Sequence, residues 1–319
     1  MKRAGIYFFY DRDGVVDDYA VYFLKTVKPF IPDIYAVVNG VLTEDGRIKL
    51  SSECCDVFVR DNTGLDATAY KYAIERIGYD KLAGYDEVLC FNFTCFGAFF
   101  DLRPMFDAME QKQCDWWGLF VNTMKPPYVA GEHLPSFFVA YRRSMVVHPA
   151  FKEYWDTLPE IKTYNDSVMF HEERQTPYFD RAGFKRAAAF DFSKYDADTS
   201  GGYWPLTRAD ELVVKERFPF LKRRCLYVEN GRFNFKLARN AVGFIRENTD
   251  YDVHMIYENI IRTQDVAALD ETKPSAVKRL KWKILSVVEP RKSKRESYRR
   301  KLKAVCGVKE FAALFERAE

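Results

Sequence analysis

The chain has 319 residues, 48% apolar, 30% charged and 16% aromatic, a balance that excludes bulk disorder and suits one large α/β domain, or a domain plus an appendage. Its longest charge-free stretch, residues 88–100, is far short of the roughly 20 apolar residues a membrane-spanning helix needs. The net charge of +3 hides an asymmetry: residues 273–303 carry thirteen Lys and Arg against Glu289 and Glu296, a local +11 that leaves −8 for the rest.

The apolar run near the N-terminus is too short for a signal peptide and acids follow it at once, which points to a cytoplasmic protein. Residues 5–10 read as a buried strand. Residues 16–30 read as a helix, with Tyr19, Tyr22, Phe23 and Val27 at helical spacing. Residues 34–38 and 56–60 are the second and third strands. Asn62-Thr63-Gly64 is turn chemistry, and 67–77 is a helix stopped by Gly78. Residues 87–93 form a fourth strand, followed by a helix over 104–113. Further on, 115–121, 136–141 and 187–192 read as strands. Residues 149–157 and 166–183 read as helices, the second broken or kinked at Pro177. Beyond residue 232 the pattern is helical, over 233–246, 253–262, 276–288, 294–305 and 309–317. Alternating strands and helices predict a mostly parallel sheet covered on both faces. The seven cysteines include no C-x-x-C pair, so buried thiols are expected rather than zinc ligands or disulfides.

In such a sheet, ligands bind beyond the carboxyl ends of the strands. The loops there are residues 10–14, 60–66 and 92–97. The first two are polar and contain glycine, which suits hydrogen bonding to a base, ribose or phosphate. The alternative is ordinary turns with Asp and Asn as helix caps. Asp66 and Asp11 are open to both readings, as donor contacts or as caps. Neither a Walker loop nor a G-x-G-x-x-G stretch is present.

Several short motifs follow one another in a specific order. They run from Tyr10-Asp11-Arg12-Asp13-Gly14 and Val59-Arg60-Asp61-Asn62-Thr63-Gly64-Leu65-Asp66 to Asn92-Phe93-Thr94-Cys95-Phe96-Gly97 and Cys114-Asp115-Trp116-Trp117-Gly118. His133 with Ser136-Phe137-Phe138, Glu172 with Thr176, Phe218-Pro219-Phe220-Leu221-Lys222 and Asn259-Ile260-Ile261-Arg262 complete the set. On these landmarks the chain resembles the rhamnan synthesis protein F family, glycosyltransferase-like proteins of rhamnose-polysaccharide assembly, up to about residue 263. The resemblance implies a GT-A-like fold, a mostly parallel sheet flanked by helices with a helical C-terminal appendage. Residues 1–231 would be the glycosyltransferase domain and 232–319 a basic helical region. It further implies a nucleotide-sugar donor, with inverting transfer of rhamnose from dTDP-rhamnose to a glycan or lipid-linked glycan acceptor.

Under this resemblance the donor-binding residues are Asp11, Arg60, Asn62, Gly64, Asp66, Asn92 and Thr94. GT-A enzymes usually hold a divalent cation, Mg²⁺ or Mn²⁺, at an Asp-x-Asp-like element after the fourth strand, where the family pattern is Asn-Asp-Ser. This chain has Asn92-Phe93-Thr94. Such ions prefer carboxylate oxygens. Either the metal uses another acid, or Arg and Lys side chains carry the diphosphate, or the chain is a non-catalytic sugar-nucleotide or glycan-binding protein on a degenerate fold. Glu172, in His171-Glu172-Glu173-Arg174, is the candidate general base, its alternative being a solvated helical face. His133 is a candidate contact to acceptor or diphosphate, or a structural histidine. Tyr203 and Trp204, beside Gly201-Gly202, read as a pocket rim that stacks on a sugar. Trp116 and Trp117 read as core.

In the basic segment, residues 275–303, Trp282, Ile284, Leu285, Val287 and Val288 intermix with Lys and Arg as in an interfacial helix. A membrane surface is the expected partner, at its cytoplasmic face. A solvated appendage is the alternative. No recognised nucleic-acid motif accompanies the charge, so no nucleic-acid partner is expected.

Overall fold

The computed structural model describes residues 1–123, 131–195, 204–227, 233–264, 266 and 313–315. Tyr203, the basic segment 275–303, the helices expected over 276–288 and 294–305 and most of that over 309–317 lie outside the described residues. The chain divides into two compact units, Met1–Trp204 and Pro205–Glu319.

The first unit opens with β1 (Arg3–Tyr10), α1 (Asp18–Val27), β2 (Asp33–Asn39), α2 (Glu44–Glu53), β3 (Asp56–Arg60), α3 (Leu65–Ile77), α4 (Tyr79–Leu82) and β4 (Glu87–Asn92). It continues with β5 (Cys95–Gly97), α5 (Arg103–Gln111), β6 (Trp116–Gly118), β7 (Phe138–Arg142), α6 (Arg143–Val146) and α7 (Pro149–Asp156). Then come α8 (Tyr164–Ser167), a π-helical turn (Val168–Glu172), α9 (Glu173–Arg181) and β8 (Arg186–Ala188). Seven strands form one sheet in the order β3-β2-β1-β4-β7-β6-β8. Strand β7 is antiparallel to both its neighbours, and the remaining pairings are parallel. The class is therefore the one expected, a mostly parallel sheet flanked by helices.

The near-continuous apolar runs of β1 and β4 have their reason in this burial. A strand exposes alternate residues to opposite faces, and here both faces are covered. Ile6, Phe8, Val88, Cys90, Trp116, Val139 and Tyr141 face one core with Tyr70 and Ile74 of α3, Trp155 of α7 and Phe179 of α9. Tyr7, Phe91, Phe138 and Trp117 face the other, against Phe23 of α1 and Phe106 of α5. Trp116 and Trp117 are both fully buried, as core residues should be. At the end of the sheet opposite the loops, the buried carboxylate of Glu87 accepts from Arg3 Nε (2.7 Å) and Trp117 Nε1 (3.0 Å). It also lies 3.3 Å from Arg142 Nε. One β4 side chain thus ties together β1, β6 and β7.

Helix α2 has no counterpart in the sequence reading. It buries only Gly46 and Leu50, so it lacks an apolar stripe, and its start is marked by the cap that Thr43 Oγ1 offers to Gly46 N–H (3.0 Å). The helix expected over 166–183 is broken before Pro177 rather than at it, by the π turn Val168–Glu172.

The second unit contains α10 (Trp204–Thr207, which straddles the division), α11 (Ala209–Glu216), β9 (Phe220–Lys222), α12 (Phe235–Asn248) and α13 (His254–Thr263). Helix α11 packs on α12, which places residues from 209 onward with the later helices. The expected boundary near residue 231 falls inside this unit. Buried Arg223 donates from Nε to Asn259 Oδ1 on α13 (3.0 Å).

Candidate functional site

Strands β2 and β4 lie on either side of β1, so the chain's path across the sheet reverses there, and a crevice opens beyond the carboxyl ends of β1 and β4. A cavity of ≈ 300 Å³ occupies it. Phe8 and Tyr10 enter from β1, Asn92, Phe93 and Thr94 from the end of β4, and Asn62, Leu65 and Asp66 from the loop into α3. Ser136 enters ahead of β7, and Tyr164, Ser167, Val168 and Glu172 from α8 and the π turn.

Asp66 sits in the first turn of α3, where the helix dipole favours a carboxylate. Its Oδ1 accepts from Ser167 Oγ (2.8 Å) and its own neighbour Ala67 N–H (3.0 Å), and Oδ2 accepts from Asn92 Nδ2 (3.3 Å). Asn92 Oδ1 in turn accepts from Thr94 Oγ1 (2.6 Å) and Thr94 N–H (3.2 Å). These bonds join the loops after β3 and β4 to α8. The helix cap is Gly64, at φ +68°, where an added Cβ would lie 2.0 Å from Thr68 Oγ1. Leu65 follows at φ +50°, a conformation costly for a leucine and of the kind that clusters at ligand sites. Arg60 stands behind this loop, donating from Nη1 to Asn39 Oδ1 (2.7 Å) and Thr63 O (2.8 Å) and from Nη2 to Thr63 Oγ1 (3.1 Å).

On the other wall, Glu172 Oε2 accepts from Ser136 N–H (3.1 Å) and Oγ (2.9 Å). Its Oε1 lies 3.6 Å from Nε2 of His133, whose ring is buried. His133 Nδ1 is 2.8 Å from the carbonyl of Gly131. Burial pulls the His133 pKa down, but the nearby Glu172 carboxylate, with the Gly131 carbonyl, outweighs it and raises it above 6.5. Behind Asp66, His171 is fully buried against the hydroxyl of Tyr154 (2.9 Å). Burial pushes its pKa down against the opposing charges of Asp66 and Glu172.

Position 93 is apolar. The Phe93 ring packs edge-on against Phe8 and Phe9 (5.6 Å each) at the back of the cavity. Asn92 Oδ1 is taken up by Thr94, and the Asp66 carboxylate, tied to Ser167, Ala67 and Asn92, keeps acceptor capacity for a further hydrogen bond. This donor set does not fit a divalent cation at the place where an Asp-x-Asp-like element would hold one. Among the described residues no group of three or more His, Cys, Asp or Glu side chains could hold a metal ion. None of the described residues lining the cavity is Lys or Arg.

The order of loops on this crevice matches that of the sequence landmarks, and residues 34–298 match the rhamnan synthesis protein F family. The chain belongs to the rhamnan synthesis protein F family. No curated protein matches it. Among solved structures it is similar to a putative nucleotide-diphospho-sugar transferase from Desulfovibrio desulfuricans G20, at 12% identity and TM-score 0.35, over 60% of this chain and 81% of that one. It is also similar to glucosyl-3-phosphoglycerate synthase from Mycobacterium tuberculosis in complex with Mn²⁺, UDP and glucosyl-3-phosphoglycerate, at 9% identity and TM-score 0.30. That match covers 45% of this chain and 57% of that one.

In this member of the rhamnan synthesis protein F family, five of the sequence-derived site residues, Asn62, Asp66, Asn92, Thr94 and Glu172, line one cavity. Others do not reach it. Asp11 is nearly buried, and its Oδ1 accepts from Asp13 N–H (3.0 Å) and Val15 N–H (3.1 Å), so it shapes its own turn. Arg60 and Gly64 set the loop that carries Asn62 and Asp66. His133 stands behind Glu172. Trp204 departs from the expected rim. It is fully buried among Phe120, Tyr195 and Phe192 (5.3, 5.7 and 6.0 Å), so a sugar cannot reach either ring face. The aromatic at the mouth is instead Tyr164, 64% exposed. The sequence reading missed Tyr164, Ser167 and the role of Ser136. The capping pattern Thr163-x-x-Asp166 marks where α8 begins, but no local signal aims Tyr164 and Ser167 at the β3 and β4 loops.

Proposed function

We propose that this protein is a glycosyltransferase of cell-surface polysaccharide synthesis, an inverting rhamnosyltransferase that uses dTDP-rhamnose and a glycan or lipid-linked glycan acceptor. The observation that carries the reading is the meeting of Asp66, Asn92 and Glu172 on one cavity at the carboxyl ends of β1 and β4. Asp66 and Asn62 contact the base or ribose of the donor. Tyr164, Tyr10 and Phe93 offer ring faces to a flat base or the apolar face of a sugar. Glu172 takes the proton of the acceptor hydroxyl as that oxygen bonds to the anomeric carbon and the nucleoside diphosphate leaves with its electron pair.

One observation favours a second reading. The Phe93 ring fills the place of the acid, as in a fold that binds a sugar nucleotide or glycan without turning it over. Incubating the full chain with dTDP-rhamnose and a rhamnan acceptor separates the two. Formation of dTDP with rhamnosylated product, lost in Glu172→Gln, supports the transferase. Donor-induced thermal stabilisation with no turnover supports the binding protein. For partners beyond the donor, the basic segment 275–303 supports peripheral docking on an anionic membrane surface. Among the described residues no helix is long and apolar enough to cross a membrane.

A further inference from the structure

We propose that Glu172 and His133 act as one proton-sharing pair, in which the imidazole stores the proton that the carboxylate takes from the acceptor. The argument begins at the far side of the ring. A carbonyl oxygen only accepts hydrogen bonds, so His133 Nδ1, 2.8 Å from Gly131 O, carries hydrogen. The neutral ring then has its lone pair on Nε2, and Nε2 faces Glu172 Oε1 at 3.6 Å in a pocket where the ring is 1% exposed. Nε2 has no hydrogen-bond partner at this spacing among the described residues. A lone pair facing a carboxylate in a buried site is unfavourable, so the resting contact holds one proton, as imidazolium–carboxylate or as imidazole–carboxylic acid.

Ser136 N–H and Oγ bond Glu172 Oε2, and Oε1 is the oxygen nearer the histidine. The charged groups that act on the ring are Glu172, from the π turn, and Glu173 at the start of α9. Glu132, next to His133 in the chain, is held by Arg186, which also pairs with Asp180.

The role in transfer rests on Glu172 as the base. With the pair singly protonated, Nε2–H points at Oε1 and weakens the carboxylate as a base. Once that proton is lost, Glu172 accepts the acceptor hydroxyl proton and passes it to Nε2. The acceptor oxygen meanwhile bonds the anomeric carbon, and the diphosphate departs with the electrons of its C–O bond. The proton returns to solvent before the next cycle, and His133 is a positioning residue throughout.

The chain has only four histidines, so each ring can be followed by nitrogen NMR in the intact protein, with His133→Gln assigning one set of signals. The expected result is a titration midpoint above that of an ordinary histidine and, above that midpoint, a neutral His133 ring with its proton on Nδ1. Glu172→Gln should move that midpoint down. Ser136→Ala, which keeps the carboxylate, should retain it above the ordinary value. A neutral ring protonated on Nε2, or a midpoint unmoved by Glu172→Gln, overturns the pair. The base assignment fails separately, if Glu172→Gln releases dTDP from dTDP-rhamnose at the wild-type rate. If His133→Gln does not fold, the Glu172→Gln comparison still decides, because the His133 signals are then assigned by elimination, through His148, His171 and His254 substitutions in turn.

Discussion

Asp66 accepts three hydrogen bonds from three different segments, so its carboxylate is held in one geometry before any ligand arrives. If it also accepts from a ribose or base, Asp66→Ala should weaken dTDP binding by about 1–3 kcal/mol, as read by calorimetric titration of a folded variant. Unchanged affinity with lowered stability would leave it a structural tie. Glu172→Gln keeps the shape and removes basicity, so transfer should fall about 10²–10⁴-fold with donor binding retained. A near-normal rate would move the base to Glu173 or Asp166. His133 gives a pH signature. Its folded pKa is raised, so its contribution to stability is complete below about 6.5, the unfolded value, and is lost as pH rises through the folded one. Urea unfolding should therefore separate wild type from Glu172→Gln most at acid pH, near pH 5.5, and the gap should close in alkaline buffer. With Phe93 where an acid would hold a cation, Mn²⁺ should add nothing to the thermal stabilisation that dTDP confers. A metal-dependent gain would point to a ligand set other than Asn92 and Asp66.

At the scale of elements, the site depends on how rigidly each loop leaves its strand. The loop between β3 and α3 is pinned twice. Arg60 holds the carbonyl and hydroxyl of Thr63, and Gly64 adopts a left-handed turn that a side chain cannot share with Thr68. The opposite wall depends on the π turn, which widens the helix by one residue and swings Glu172 toward Ser136, a device common at functional sites. The sheet beneath is tied by Glu87. Glu87→Ala would leave Arg3 and Trp117 without their buried acceptor and free Arg142, so it should cost about 3–5 kcal/mol in urea unfolding. A loss below about 1 kcal/mol would mean that water replaces the carboxylate.

For the whole molecule, charge is divided along the chain. A segment of +11 attached to a remainder of −8 should orient the protein on an anionic surface. Full-length protein should sediment with vesicles containing anionic lipid and much less with neutral ones. Binding should fall as salt shortens the Debye length from about 10 Å at 0.1 M to about 3 Å at 1 M. Replacing Trp282, Ile284 and Leu285 with Ser should reduce binding even at low salt, because an apolar face also contributes. Indifference to anionic vesicles would overturn the membrane reading.

Local chemistry made much of this legible before any coordinates. The apolar runs of β1 and β4, the Asn62-Thr63-Gly64 turn and the helix ending at Gly78 follow from side-chain period and backbone preference, which act over a few residues. They determined a mostly parallel sheet and placed Asp66 and Asn92 at strand ends, hence at one edge of it. They could not say that β4 lies beside β1, that Asp11 turns back on its own loop, or that Trp204 is swallowed by Phe120 and Phe192. Glu172 and His133 are 39 positions apart, and Ser167 is 101 from Asp66. Only the packing of α8 and the π turn over the β3 and β4 loops brought these groups together, because side chains that far apart meet through burial and strand order rather than through local spacing.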